Sequence, residues 1–288
     1  MRRNPDTLSI SAPAKLNLFL HVTGRRDGYH LIESLVVFTQ FGDRLEVCED
    51  RQISLRVVGP FAGDCGPIEH NLVLRAARSL AALAPAPVGA ALTLHKYLPA
   101  AAGLGGGSSD AAAALQLLLS LWKLRPGGTA LSELALGLGA DVPVCMQGRP
   151  AIAGGIGERL SAAPVLPPCY VLLVNPRLPL STQAVFEKLD GRFSRAPKKF
   201  PAAIRTAGEL VRLLGETQND LQLPASELAP EILTVLDALR RQRGCLLSRM
   251  SGSGATCFGL FEDAAEMAAA AHTISRDHPQ YWRGQTRF

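Results

Sequence analysis

The sequence predicts an α+β chain in two lobes, and three observations point to it. Segments with the two-residue period of strands and segments with the helical period both recur along the chain. The length of 288 residues suffices for two modest lobes, and 47% hydrophobic against 19% charged residues indicates a sizeable core rather than disorder. A proline-rich stretch at 163–168 marks the expected boundary, giving lobes at 1–162 and 163–288.

The elements follow in order. Strands are expected at 8–10 and 16–23, the second alternating and rich in β-formers. A turn at 25–28 leads to strands at 33–39, 43–48 and 53–58. Asn71 starts a helix that runs to about residue 83, where Pro85 and Pro87 stop it. A strand at 91–96 delivers the run Pro99-Ala-Ala-Ala-Gly-Leu-Gly-Gly-Gly-Ser-Ser-Asp110. The segment from Ala111 to Trp122 is apolar on every side, which reads as a central, buried helix. After the stop at Arg125-Pro-Gly-Gly128 come a helix at 132–138 and a glycine-turned strand pair at 151–156 and 159–161. The second lobe opens with a strand at 170–175 and a helix near 183–188. A polar stretch with Pro197-Lys-Lys199 reads as a mobile loop. Helices at 202–214 and 230–241 follow, then strands at 246–250 and 256–261 around Ser251-Gly-Ser-Gly254, a helix at 264–273 and a last short strand.

Charge and cysteine usage narrow the class. The net charge is +5, but its basic groups are dispersed, and the 6% aromatic content does not interleave with them. That pattern argues against a nucleic-acid surface and suits an enzyme of polyanionic small molecules. The six cysteines form no C-x-x-C pair and no zinc-ligand spacing, so they read as reduced thiols of a reducing cytosol. Residues Met1 to Asp6 carry no apolar segment of a secretory signal, and no run approaches the roughly 18 apolar residues of a membrane span. The expectation is a soluble cytoplasmic protein with no membrane or nucleic-acid partner.

The glycine run carries the most chemistry. Glycine lets a backbone approach a ligand closely, and Ser108, Ser109 or Asp110 would cap the helix behind it. The free N–H groups and positive end of such a helix suit a phosphate. A Walker loop is excluded because no lysine follows the glycines. A dinucleotide fingerprint is excluded because its third glycine is missing.

Other positions stay open on local grounds. Lys15, in the apolar stretch Ala12-Pro-Ala-Lys-Leu-Asn-Leu-Phe-Leu20, must snorkel, pair or serve a site, and Asn17 shares its strand face. Asp141 sits at a chain reversal before Pro143, which is expected to force Val142 out of helical geometry. Its carboxylate is either a backbone cap or a catalytic group paired with Lys15. Ser251-Gly-Ser-Gly254 is either a hairpin turn or a second nest of N–H donors. Gly28-Tyr-His30 suits base stacking and hydrogen bonding, or ordinary surface.

Together these segments resemble the GHMP kinases. The hallmark loop of that family is matched from Pro99 to Ser109, and its second glycine turn from Ser251 to Gly254. Ala100-Ala-Ala102 departs from the usual methionine or glycine, though alanines keep the loop tight. The stretches 12–20, Arg26-Asp-Gly-Tyr-His30 and Leu138-Gly-Ala-Asp-Val-Pro-Val144 are most similar to members that phosphorylate the 2-hydroxyl of a cytidine diphosphate-linked methylerythritol in non-mevalonate isoprenoid biosynthesis. The resemblance implies the two-lobed GHMP kinase fold with its active site in the cleft between lobes, ATP with Mg²⁺, a small-molecule substrate, and a monomer or weak homodimer. It implies Lys15 and Asp141 as the catalytic pair. For ATP it implies Pro99, Ala100, Ala101, Ala102, Gly103, Leu104, Gly105, Gly106, Gly107, Ser108 and Ser109 at the phosphates, with Asn71 and Lys96 near the adenosine. Cytosine is expected between Tyr29 and Phe186, read at its edge by His30, with Asn17 and Thr182 lining the substrate pocket. The ligands of Mg²⁺ stay open: the Ser108 or Ser109 hydroxyl is a candidate, no glutamate at a convincing position completes a site, and the alternative is an ion held mainly by phosphates and water. One rival is another kinase of the family, such as a homoserine or mevalonate kinase, whose substrates offer no pyrimidine to stack. A nucleotide- or RNA-binding module without catalysis is a rival of another class; it has no need of Lys15 and Asp141.

Overall fold

Two long strands open the chain where shorter ones are expected. In the structure, a computed structural model, β1 (Leu8–Arg26) and β2 (Tyr29–Glu49) pair with each other over stretches the sequence reading divides at Pro13 and Gly42. Proline removes a ladder donor, but Gly42 lets the neighbouring backbone close on it. A Cβ on Gly42 would lie 2.1 Å from the Ala12 carbonyl oxygen and 2.5 Å from Pro13 Cα. The structure describes residues 7–196 and 200–288, so the readings of Met1 to Asp6 and of the Pro197-Lys-Lys199 loop lie outside the described residues.

Contacts group the chain into two units that interleave in sequence. The first takes residues up to 14, 42–100 and 105–148; the second takes 15–41, 101–104 and 149 onward. The boundary expected after Ala162 coincides with neither unit's limits.

In the first unit β2 runs antiparallel to β4 (Ala90–His95), from Arg44 opposite His95 to Glu49 opposite Ala90, while β3 (Ile53–Val58) lies parallel to β4. Helix α1 (Leu72–Ala81) starts as expected at Asn71, whose side-chain oxygen accepts the Val73 N–H at 2.9 Å. It packs on α2 (Gly106–Leu121), which buries nearly its whole length from Ser109 to Leu118. The α2 cap corrects the sequence reading. Gly105, at φ 60°, takes that position, and Ser108, Ser109 and Asp110 already lie inside the helix. Helix α3 (Gly128–Leu138) precedes α4 (Val142–Gln147), a second correction. Pro143 does not break helical geometry at Val142; it occupies the first turn, where no N–H is required.

In the second unit the first half of β2 pairs with β5 (Ala151–Gly155), and β5 with β6 (Arg159–Ala162). A separate antiparallel sheet has the order β10-β7-β9-β8, formed by β7 (Tyr170–Asn175), β8 (Leu247–Met250), β9 (Cys257–Phe261) and β10 (Trp282–Arg287). Around it lie α5 (Thr182–Lys188), α6 (Ala207–Leu214), α7 (Gln222–Leu228), α8 (Glu231–Arg240) and α9 (Ala264–Asp277). Helix α7 is not foreseen from the sequence; its Pro224 falls in the first turn, where a missing N–H costs nothing. Leu172, Val174, Val235, Leu239, Phe261 and Ile274 are among the residues of one core here, each no more than 2% exposed.

Candidate active site

Strand alternation sets Lys15 and Asn17 on one face of β1, and both are buried, at 4% and 2% exposure. Lys15 therefore does not snorkel. Its Nζ donates to Asn17 Oδ1 at 3.1 Å, and Asn17 Nδ2 donates to Ser34 Oγ at 2.7 Å. The Ser34 hydroxyl in turn donates to the Phe19 carbonyl at 2.5 Å, so the amide is held from both ends. A polar chain this dry fixes the Asn17 rotamer, because a broken link would strand a buried donor.

Two glycine turns meet beside this chain. Ser251 Oγ accepts the Asn17 N–H at 3.2 Å and donates to the Gly103 carbonyl at 2.9 Å. Lys15 N–H donates to the Leu104 carbonyl at 2.8 Å, and Thr256 N–H to the Ala102 carbonyl at 3.2 Å. Gly103 has φ +73°, and a Cβ on it would lie 2.4 Å from the Ser251 carbonyl oxygen, so the approach needs glycine. Asn219 Nδ2 secures the second turn through the carbonyls of Met250 and Gly252, each at 2.8 Å. Thr182 Oγ1 lies 2.8 Å from Ser253 Oγ in the same turn. Residues 251–254 thus join Asn17 and Thr182, two of the expected substrate residues.

The aromatic residues are placed by a hairpin. Asp27 at φ 51° and Gly28 at φ 84° form the two-residue turn between β1 and β2, and left-handed values at both suit a type I′ turn. Tyr29 then projects 63% exposed. The ring of His30 lies 4.9 Å from that of Phe186 with planes 29° apart, and 6.4 Å from Phe193 at 65°. Thr182 and Phe186 share one face of α5 through their four-residue spacing. Burial, and then the Arg25 charge, hold the His30 imidazole below its ordinary pKa, which favours the neutral ring.

The first unit holds the mouth of α2. Its first intrahelical bond runs from Ser109 N–H to the Gly105 carbonyl at 2.9 Å, so the amides of Gly106, Gly107 and Ser108 precede the ladder. Gly107 is exposed, and Gly105, Gly106 and Ser108 are half-buried, which leaves this positive helix end open. Ser109 Oγ donates to the Pro13 carbonyl at 2.7 Å and anchors the helix start to β1. The turn that carries Asp141 lies beside the same end: a Cβ on Gly139 would sit 4.0 Å from Ser108 Oγ. Asp141 is half-buried and makes no capping bond to α4, so its carboxylate is not the backbone cap considered from the sequence. The start of α1 is also near, with Leu72 Cδ1 3.5 Å from a Cβ on Gly107.

Lys96 is buried, and its ammonium donates to Asp43 Oδ2 at 2.5 Å and Asp110 Oδ2 at 2.7 Å. Burial opposes its charge, but Asp110 and Asp43 outweigh that and push its pKa up to about 12. Neither Asp43 nor Asp110 figures in the sequence reading as a site residue. A carboxylate in the strand at 43–48 was a legible oddity; Asp110, after two serines, looks like a cap.

Among the described residues no group of three or more His, Cys, Asp or Glu side chains is placed to hold a metal ion. Asp43 and Asp110, both close to the start of α2, each pair with the Lys96 ammonium. A cavity of about 670 Å³ in the second unit is lined by Arg192, Phe193, Asp220 and Arg249 among others, and includes none of the expected site residues. Its Arg249 guanidinium is spent on the carbonyls of Leu18, Leu214 and Thr217 and on the Thr217 hydroxyl. Among the described residues no helix is long and apolar enough to cross a membrane.

Residues 71–149 match the family model described as GHMP kinases N terminal domain, and residues 200–280 match GHMP kinases C terminal. A 4-diphosphocytidyl-2-C-methyl-D-erythritol kinase of Paramagnetospirillum magneticum is 49% identical over 277 residues, 96% of each chain. One from Chelativorans sp. is 49% identical over 280 residues, 96% of this chain and 94% of its own. The crystal structure of a 4-(cytidine 5'-diphospho)-2C-methyl-D-erythritol kinase superposes with a TM-score of 0.78 at 34% identity, covering 97% of this chain and 99% of that one. Homoserine kinase from Cytophaga hutchinsonii reaches a TM-score of 0.67 at 17% identity, covering 100% of this chain and 96% of its own, a likeness of fold alone.

Proposed function

The chain belongs to the GHMP kinase family, and from that premise we propose that it transfers the γ-phosphoryl group of ATP to the 2-hydroxyl of 4-diphosphocytidyl-2-C-methyl-D-erythritol. One observation carries this choice within the family: 49% identity across 96% of both chains to a kinase of that name. The homoserine kinase likeness extends to the fold only, so that rival rests on far less.

Phosphoryl transfer depends on positioning and charge neutralisation more than on covalent help. The amides of Gly106, Gly107 and Ser108, at the open positive end of α2, are the groups proposed to receive the triphosphate. The remaining residues from Pro99 to Ser109 shape that loop, with Asn71 and Lys96 toward the adenosine. Cytosine is placed against Phe186 and Tyr29, with the neutral His30 imidazole at its edge. Thr182 and Asn17 line the pocket, tied together through Ser251 and Ser253.

In the reaction the substrate 2-hydroxyl oxygen bonds to the γ-phosphorus, the bond from that phosphorus to the β-bridging oxygen breaks, and ADP leaves. Asp141 orients the alcohol and takes its proton late. Lys15, steered by Asn17, offsets the negative charge that develops on the transferring group. Mg²⁺ would accompany ATP and neutralise phosphate charge, bound by phosphate oxygens and water as that ion tolerates, with the Ser108 hydroxyl as the side-chain candidate. Six unbridged cysteines support a cytoplasmic setting.

Incubating the purified chain with ATP and each of three alcohols tests the assignment. ADP release is expected with the cytidine diphosphate-linked methylerythritol and at background level with homoserine or mevalonate. Equal or faster release with either plain alcohol would overturn the substrate.

A further inference from the structure

Beneath the α2 mouth lies a buried group of three, Lys96 with Asp43 and Asp110, whose two carboxylates have no part in the proposed transfer. Lys96, Asp43 and Asp110 bury their side chains to 4%, 0% and 3% exposure. Asp43 is saturated: besides Lys96 it accepts the N–H groups of Tyr97 at 2.6 Å and Leu98 at 2.9 Å. Asp110 is not, since its Oδ1 is buried without a hydrogen-bond partner. Two ionised carboxylates and one ammonium leave this group at a net charge of −1. The group touches the first residue of the helix, because a Cβ on Gly106 would lie 3.2 Å from Lys96 Nζ and 3.6 Å from Asp43 Oδ2. A net negative charge there opposes any anion at the amides of Gly106 to Ser108, and an ionised Oδ1 with no donor is costly in so dry a place. A proton on Asp110 removes the net charge, and a neutral carboxyl costs far less to bury with one oxygen unpartnered than an ionised one.

We infer that Asp110 is a positioning residue whose protonation is coupled to nucleotide binding, so that the triphosphate meets a neutral Asp43–Lys96–Asp110 group under α2. The coupling rests on the assignment of the α2 mouth as the phosphate site. Burial raises the Asp110 pKa, Lys96 lowers it and Asp43 raises it again, and the net effect lifts it well above the usual carboxylate range, toward the protonated form. Few other charges bear on it. Cys65, from the turn after β3, senses all three groups and Asp64, and burial raises its pKa. Arg75 and Arg78 of α1 and Glu133 of α3 are exposed, while α4 brings its Asp141 start and Cys145, which lies 3.4 Å from Ser109 Oγ. The sign follows: if the bound state requires the proton, ATP affinity falls as pH rises through the raised Asp110 pKa of the free protein, by up to about tenfold per pH unit.

Calorimetric titration of the full chain with ATP near pH 7, in two buffers of different ionisation enthalpy, counts the protons. The wild type should take up more protons on binding than Asp110→Asn, whose neutral amide needs none. Titration of the nucleotide itself cancels in that difference, and a purely structural role for Asp110 would not move it. Equal proton counts in the two proteins overturn the coupling while leaving the phosphate site intact. A wild type that does not bind ATP at all overturns the phosphate site, and the coupling with it. Should Asp110→Asn fail to fold, infrared spectra of the wild type decide: the carbonyl stretch of a protonated carboxylic acid must grow on addition of ATP, and an unchanged band refutes the coupling.

Discussion

Asp141 and Phe186 separate the two tasks of the proposed site, chemistry and recognition. Asp141 makes no capping bond, so its replacement by Asn removes a carboxylate without uncapping α4. Turnover should then fall about 10²–10⁴-fold, the usual size for a group that handles a proton, with ATP affinity retained. Near-normal turnover in a steady-state assay would exclude Asp141 from catalysis. Phe186→Ala should instead raise KM for the cytidine substrate while leaving KM for ATP unchanged. Removing an aromatic face under a base costs roughly 1–3 kcal/mol, or about 5–150-fold in affinity. An unchanged substrate KM would mean that the ring serves only to pack against His30.

The glycine loop makes opposite demands at its two ends. Gly103 is left-handed with backbone 2.4 Å from any added Cβ, so Gly103→Ala strains the turn by about 1–2 kcal/mol from φ alone, before the clash. Gly107 has no such constraint and meets only a Leu72 methyl at 3.5 Å. Gly107→Ala should therefore hold or raise the melting temperature, since alanine is the better helix former by about 1 kcal/mol. It should nonetheless raise KM for ATP by crowding the exposed amides. Thermal melts of the two variants check the contrast, and a stable Gly103→Ala would contradict the geometry. Periodicity and turn chemistry made most elements legible, including the Asn71 cap, the Asp27-Gly28 turn and the buried α2. They misplaced what depends on distant neighbours. The continuity of β1 past Pro13 depends on Gly42, and α4 and α7 carry prolines that a first turn tolerates but a local reading treats as breaks. The supporting residues Ser34, Asn219 and Asp43 act through bonds to partners 15 to 55 positions away, which no local pattern encodes.

Chain order and spatial grouping diverge over the whole molecule. Residues 101–104 of the glycine run group with one unit and residues 105–109 with the other. Motif residues, by contrast, were legible individually because each breaks a local rule: a lysine and an asparagine in an apolar strand, a carboxylate at a chain reversal, four glycines before a helix. The proposed function ties them to one donor and one acceptor. A crystal structure with a non-hydrolysable ATP analogue and the cytidine substrate tests that most directly. The triphosphate is expected against the amides of Gly106 to Ser108, with cytosine against Phe186 and the 2-hydroxyl at Asp141. A triphosphate seated elsewhere, for instance in the cavity beside Arg192 and Phe193, would contradict it.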